Sequence, residues 1–211
     1  VNPLLRTAVL AAVASGLLVT PAAAAPEVPH EGGLVGRIDN PGPVRAMKQE
    51  AVEFFWYDCG HSQQLEIPLE RWAEKHRSDV TLRRVPAVWP GSREEETQRG
   101  HARLYYTLEQ LGEVDRLQLA VFRAVRERET DVTTEETATA WALTAGLDPD
   151  KFRAAYRSSE VERATEEAGE LLARYQVDEL PTVLVQGGHR VQPSRDGGVE
   201  GMPAALDRLV D

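Results

Sequence analysis

The sequence predicts an α/β fold in which a βαβ unit and a later αββα unit are separated by a helical block. Three observations carry this. Glu50 to Tyr57 is an almost unbroken apolar run, the pattern of a strand buried on both faces of a parallel or mixed sheet. A second strand-like run, Val80 to Val85, follows one amphipathic helix later. After a long middle with helical period, the pattern returns to short strands on either side of Gly187-Gly188.

Each element has its own signal. Gly60 to His76 carries Leu65, Leu69, Trp72 and Ala73 at helical spacing, with Glu66, Glu70, Arg71, Glu74 and Lys75 on the other side. Pro68 lies inside it and predicts a kink near Gln64 and Leu65. A loop containing Pro and Trp runs from Ala87 to Gly91, and helices are expected at Thr97 to Leu111, Val114 to Arg128, Thr134 to Ala145 and Asp150 to Ser158. Thr133 with Glu136 forms the capping-box pattern at the third of these, and Asp148-Pro149 opens the fourth. Glu160 to Tyr175 is a long amphipathic helix, with Leu171, Leu172 and Tyr175 near its apolar face. Thr182 to Gln186 and His189 to Gln192 form a hairpin, and Pro203 to Val210 belongs to a terminal helix. A βαβ unit followed by αββα is the thioredoxin-like arrangement, here with a helical insertion at about residues 90–170.

The N-terminal region reads as export machinery. Arg6 precedes the apolar run Ala8 to Val19, Pro21 breaks it, and Ala22 to Ala25 offers small residues for cleavage. A signal peptide over residues 1–24 is expected, cleaved near Ala24. Residues 25–43 are rich in Pro and Gly and read as an exposed leader, with a short edge strand around Leu34 to Ile38. The domain proper then spans 44–211. The chain has 211 residues, 24 basic and 34 acidic, for a formal net charge of −10. That balance, with no basic stripe, excludes a nucleic-acid partner.

Cys59 is the only cysteine. An odd cysteine in an exported protein is a reactive thiol, an intermolecular bridge or a buried inert residue. Its position favours reactivity, because it opens a helix where unpaired backbone N–H groups and the positive dipole end favour a thiolate. His61 adds a donor or cationic ring, and the Ser62 hydroxyl is placed to donate a hydrogen bond to the sulfur. Asp58 opposes them with its charge. Glu53 is an acid in an apolar strand, to be read as a proton carrier beneath the thiol or as an edge charge reaching solvent. Glu66 is read equally as a site acid or a surface charge. Leu180-Pro181, before the last hairpin, is a candidate cis peptide facing the thiol. His30, His76, His101 and His189 lack a second ligand at metal spacing, so neither a metal nor another cofactor is expected. No Walker loop, nucleotide-binding glycine motif or serine elbow is present.

The segment Val52-Glu53-Phe54-Phe55-Trp56-Tyr57-Asp58-Cys59-Gly60-His61 resembles the active-site segment of the DsbA family of bacterial periplasmic thiol:disulfide interchange proteins. Leu65-Glu66, Arg84-Val85-Pro86-Ala87, His101 to Tyr106, Asp150-Lys151-Phe152 and Leu180-Pro181-Thr182 extend the resemblance over the whole chain after the leader. It implies that Cys59 is the nucleophile, His61 the residue stabilising its thiolate, Glu53 the buried acid and Pro181 a substrate-binding cis proline. It also implies periplasmic location and cysteine-containing exported proteins as substrates. Ser62 stands where the family's second cysteine belongs, and a hydroxyl cannot form a disulfide. What remains is exchange at one thiol, with resolution by an outside thiol. Glutathione and a membrane protein are the candidate redox partners. Two other readings compete: a redox-silent peptide-binding or chaperone-like relative, and a glutathione-dependent one-thiol exchange protein.

Overall fold

The computed structural model describes residues 49–185 and 188–210; the expected signal peptide, the leader with its edge strand, and part of the hairpin turn lie outside them. Strand β1 (Gln49–Phe55) leads into helix α1 (Gly60–Lys75) and strand β2 (Val80–Pro86). Helices α2 (Glu95–Gln110), α3 (Val114–Arg128), α4 (Glu135–Thr144) and α5 (Pro149–Tyr156) follow. Helix α6 (Ser159–Arg174), strands β3 (Thr182–Val185) and β4 (His189–Val191) and helix α7 (Met202–Val210) complete the order. Every helix and strand expected between residues 49 and 210 is present within a few residues of its expected bounds. Helix α1 runs as one element through Pro68.

The sheet has the order β2-β1-β3-β4, with β1 and β2 parallel and the other pairs antiparallel. Alternation along β1 sends side chains to two apolar layers. Ala51 joins Leu65, Leu69 and Trp72 of α1 and Met202, Ala205 and Leu206 of α7. Val52 and Phe54 face the larger layer built from α2 to α6, which includes Leu104, Leu108, Phe122, Phe152 and Leu172. Phe55, at the strand end, stacks edge-on with Tyr57 and Tyr105. The strand carrying the chain toward Cys59 is therefore fixed from both sides.

One cap differs from expectation. Helix α4 is capped by Thr134, not Thr133: Thr134 Oγ1 accepts the Thr137 amide at 3.2 Å, and Thr137 Oγ1 accepts the Thr134 amide at 3.2 Å. A threonine hydroxyl fills the place that glutamate takes in the usual box. Thr133 is otherwise engaged, donating its hydroxyl to Asp131 Oδ1 at 2.7 Å. The same loop crosses α2 at Gly100, where a β-carbon would stand 2.4 Å from the Thr133 carbonyl oxygen and 2.7 Å from its Cα. Backbone cannot move aside cheaply, so Gly100→Ala is expected to cost at least about 1–3 kcal/mol. Urea denaturation would show this; an unchanged midpoint would mean that the loop and α2 separate freely.

Candidate active site

Cys59 is the N-cap of α1, with extended backbone (φ −94°, ψ 116°). Its amide donates to the Trp56 carbonyl at 2.9 Å, and its own carbonyl accepts the Gln63 amide at 3.1 Å. No side chain caps the helix, so the N–H groups of the first turn lie open beside the half-buried sulfur. Across from it the Leu180–Pro181 peptide is cis, and Cys59 Sγ lies 3.8 Å from the Leu180 carbonyl oxygen, to which the thiol donates. The thiol thus meets a segment 121 residues further along the chain.

His61 is exposed on the first turn, and its ring makes no hydrogen bond among the described residues. Ser62 departs from expectation. It is fully buried, and its hydroxyl accepts the Trp56 amide at 3.4 Å rather than bonding the sulfur. The reason is local: the turn from Trp56 to Asp58 folds back over the start of α1 and offers Ser62 an unpaired backbone donor.

Glu53 is fully buried, so the edge-charge reading does not apply; Glu66 is equally buried and is no surface charge. Both meet Arg84, which is 7 % exposed. Arg84 Nε donates to Glu53 Oε2 at 3.1 Å, Nη2 donates to Glu66 Oε1 at 2.8 Å, and Glu70 Oε1 lies 3.6 Å away. The sheet register sets this up, since Glu53 and Arg84 are partners across the parallel β1–β2 pair. Burial pushes Glu53 up to about 7, against the pull of Arg84. Burial, reinforced by the Glu53 charge, pushes Glu66 up to about 9. Each carboxyl keeps one oxygen, Glu53 Oε1 and Glu66 Oε2, with no partner among the described residues. A proton can sit on either. Glu53 makes no hydrogen bond to Cys59 among the described residues.

Two further contacts hold the approach to the thiol. Trp56 Nε1 donates to His101 Nδ1 at 2.9 Å. Burial holds His101 down at about 4, so the ring is neutral and can accept. The Tyr57 hydroxyl donates to Gln118 Oε1 at 2.6 Å. From the far side, Arg126 of α3 pairs with Asp58 at 2.8 Å.

Comparison with known proteins identifies the family. Residues 62–200 match the family described as DSBA-like thioredoxin domain. The chain belongs to that family. Among the thiol:disulfide interchange proteins DsbA, that of Burkholderia cepacia is 31% identical over 197 residues, covering 92% of this chain and 91% of the relative. That of Azotobacter vinelandii is 34% identical over 164 residues, covering 78% and 74%. The crystal structure of Pseudomonas aeruginosa DsbA superposes with a TM-score of 0.70 at 33% identity, covering 82% of this chain and 88% of that one. The fold is accordingly the thioredoxin-like fold of DsbA proteins, carrying one cysteine where Ser62 holds the third position after it.

Of the residues singled out from sequence, Cys59, Ser62, Leu180 and Pro181 come together at the start of α1, with His61 on its rim. Glu53 lies in a separate buried cluster with Glu66. Sequence reading missed Arg84, His101 as the Trp56 acceptor, and Arg126. For Arg84 a signal existed: two adjacent bases, Arg83 and Arg84, in β2, paired in a βαβ unit with a strand that carries two acids, Glu50 and Glu53. For Arg126 there was none, because its partner lies 68 residues away.

Proposed function

We propose that this protein catalyses thiol–disulfide exchange on cysteine-containing proteins exported to the periplasm, through Cys59 alone. The observation that carries the reading is the sulfur at an uncapped helix start, 3.8 Å from the Leu180 carbonyl, with a buried hydroxyl at Ser62. Family membership supports the reaction type, and the curated relatives bear the name thiol:disulfide interchange protein.

The Cys59 thiolate attacks one sulfur of a substrate disulfide. The S–S bond breaks, a mixed disulfide forms and the other substrate sulfur leaves as a thiolate. An outside thiolate then attacks the substrate sulfur of the mixed disulfide and Cys59 departs as thiolate. That attacker is a freed cysteine of the substrate or a small thiol such as glutathione. No net oxidation occurs, which suits isomerisation and deglutathionylation. His61, on the rim, steadies the thiolate. Leu180 and Pro181 flank the extended substrate backbone. Glu53, near 7 through burial, is the group able to hold or release a proton at neutral pH. The apolar run at 8–19 and the small residues after it support export with cleavage near Ala24.

The test exploits Ser62. After treatment with glutathione disulfide, mass spectrometry is expected to show one glutathione on Cys59 of the wild type. In Ser62→Cys the new thiol, one helical turn away, expels it and leaves an internal disulfide able to oxidise reduced peptides directly. A wild type that takes up no glutathione, or a variant that stays reduced under oxidant, contradicts the reading. If the wild type binds unfolded chains but exchanges nothing, it is a peptide-binding relative instead.

A further inference from the structure

The C-terminal turn of α3 grips the chain on both sides of the thiol. Arg126 Nη1 donates to the Asp58 carbonyl oxygen at 3.0 Å and to Asp58 Oδ1 at 2.8 Å. A β-carbon on Gly60 would stand 3.3 Å from Arg126 Nη2. One residue on, Glu127 Oε1 accepts the Gln63 side-chain amide at 2.9 Å. Residues 58, 60 and 63 are therefore touched by two consecutive residues of a helix that belongs to the inserted block. Both members of the ion pair are partly exposed, at 38% for Arg126 and 45% for Asp58. Such pairs contribute little to stability, so the pair's placement matters more than its strength.

We infer that Arg126 is a positioning and specificity residue for Cys59, holding Asp58 and balancing its charge so that anionic small thiols and disulfides can approach the sulfur. Asp58 alone would set a carboxylate beside the one thiol of a chain whose formal net charge is −10. Any anion reaching Cys59, a carboxylate-bearing thiol above all, would be repelled. The guanidinium cancels that charge at its source, and its second nitrogen lies against Gly60, where the absent side chain leaves it room. The inference rests on Cys59 being the working thiol. It adds that the insertion, and not only the strand and helix around the sulfur, decides which small thiols resolve the mixed disulfide.

The test is alkylation of Cys59 by two reagents of similar size, neutral iodoacetamide and anionic iodoacetate, at low ionic strength. Arg126→Ala is expected to lower the ratio of iodoacetate to iodoacetamide rates about threefold, the size of one unit charge acting through water over about 6 Å. Added salt should shrink the difference. Arg126→Lys should keep a ratio near that of the wild type. Adding Asp58→Asn to Arg126→Ala should restore it, because the charge that Arg126 balanced is then gone. A purely mechanical clamp would change both rates together and would not be rescued by Asp58→Asn. An unchanged ratio in Arg126→Ala, or no recovery in the double variant, overturns the inference. Alkylation reads the sulfur directly, so a protein with this charge selectivity but no exchange activity would refute the proposed function alone.

Discussion

Cys59→Ala is expected to reduce the reactivation of scrambled ribonuclease, measured with glutathione present, to the rate that glutathione alone provides. The argument is one of inventory: the chain has one cysteine, and no other side chain can form and release a disulfide. Buried Ser62 cannot substitute, since its hydroxyl is committed to the Trp56 amide and oxygen makes no disulfide. Among the described residues the half-buried thiol makes a single long hydrogen bond, to the Leu180 carbonyl, so its removal is expected to leave the surrounding fold nearly unchanged and the loss would be chemical. Equal rates for wild type and variant would rule out exchange at this site. They would leave the surface beside Pro181 as a binding surface only.

The second large effect concerns stability. Arg84→Met is expected to cost about 3–5 kcal/mol at pH 7.5, because it leaves two buried carboxyl groups without their cation. The sign of its pH dependence follows from burial. Glu53 and Glu66 are raised from 4.5 to about 7 and about 9, so the folded protein holds protons that the unfolded chain has released. Stability therefore falls as pH rises from about 4.5 through about 7 for Glu53 and on to about 9 for Glu66. Removing Arg84 raises both acids further and steepens that fall. The penalty of Arg84→Met should thus be smaller at pH 5, where the carboxyls are largely protonated, than at pH 7.5. Urea titrations at the two values would decide; an equal or larger penalty at pH 5 would mean that the cluster is not charged as argued.

Local pattern made most of the fold legible. The apolar run of β1, the helical spacing of Leu65, Leu69 and Trp72, and Asp148-Pro149 before α5 each report a choice made within a few residues. Asp148 does cap α5, accepting the amides of Asp150 and Lys151. The α4 cap was misplaced by one residue because adjacent threonines offer two registers, and the choice depends on Asp131 taking the hydroxyl of Thr133. At the candidate site, the residues near Cys59 in sequence were legible together with Leu180-Pro181. The partners supplied from afar were not. Burial decided Glu53 and Glu66, and burial is a property of the assembled layers: Glu66 lies on the buried face of α1 with Ser62, Leu65 and Leu69, where Arg84 of β2 meets it. Ser62 shows the limit from the other side, since its hydroxyl found a backbone donor six residues back instead of the nearby sulfur.

The distance along the chain between Cys59 and Leu180 has a consequence for biogenesis. Chains are made from the N-terminus onward, so the reactive sulfur is synthesised well before the segment that covers one side of it. Between those moments lie four helices of the insertion and α6, and β1 still lacks its antiparallel neighbour β3. Contacts this remote form late. During that interval the nascent chain carries an unshielded thiol with no second cysteine to shelter it in a disulfide. It is then free to attack any disulfide it meets before the Leu180 segment arrives.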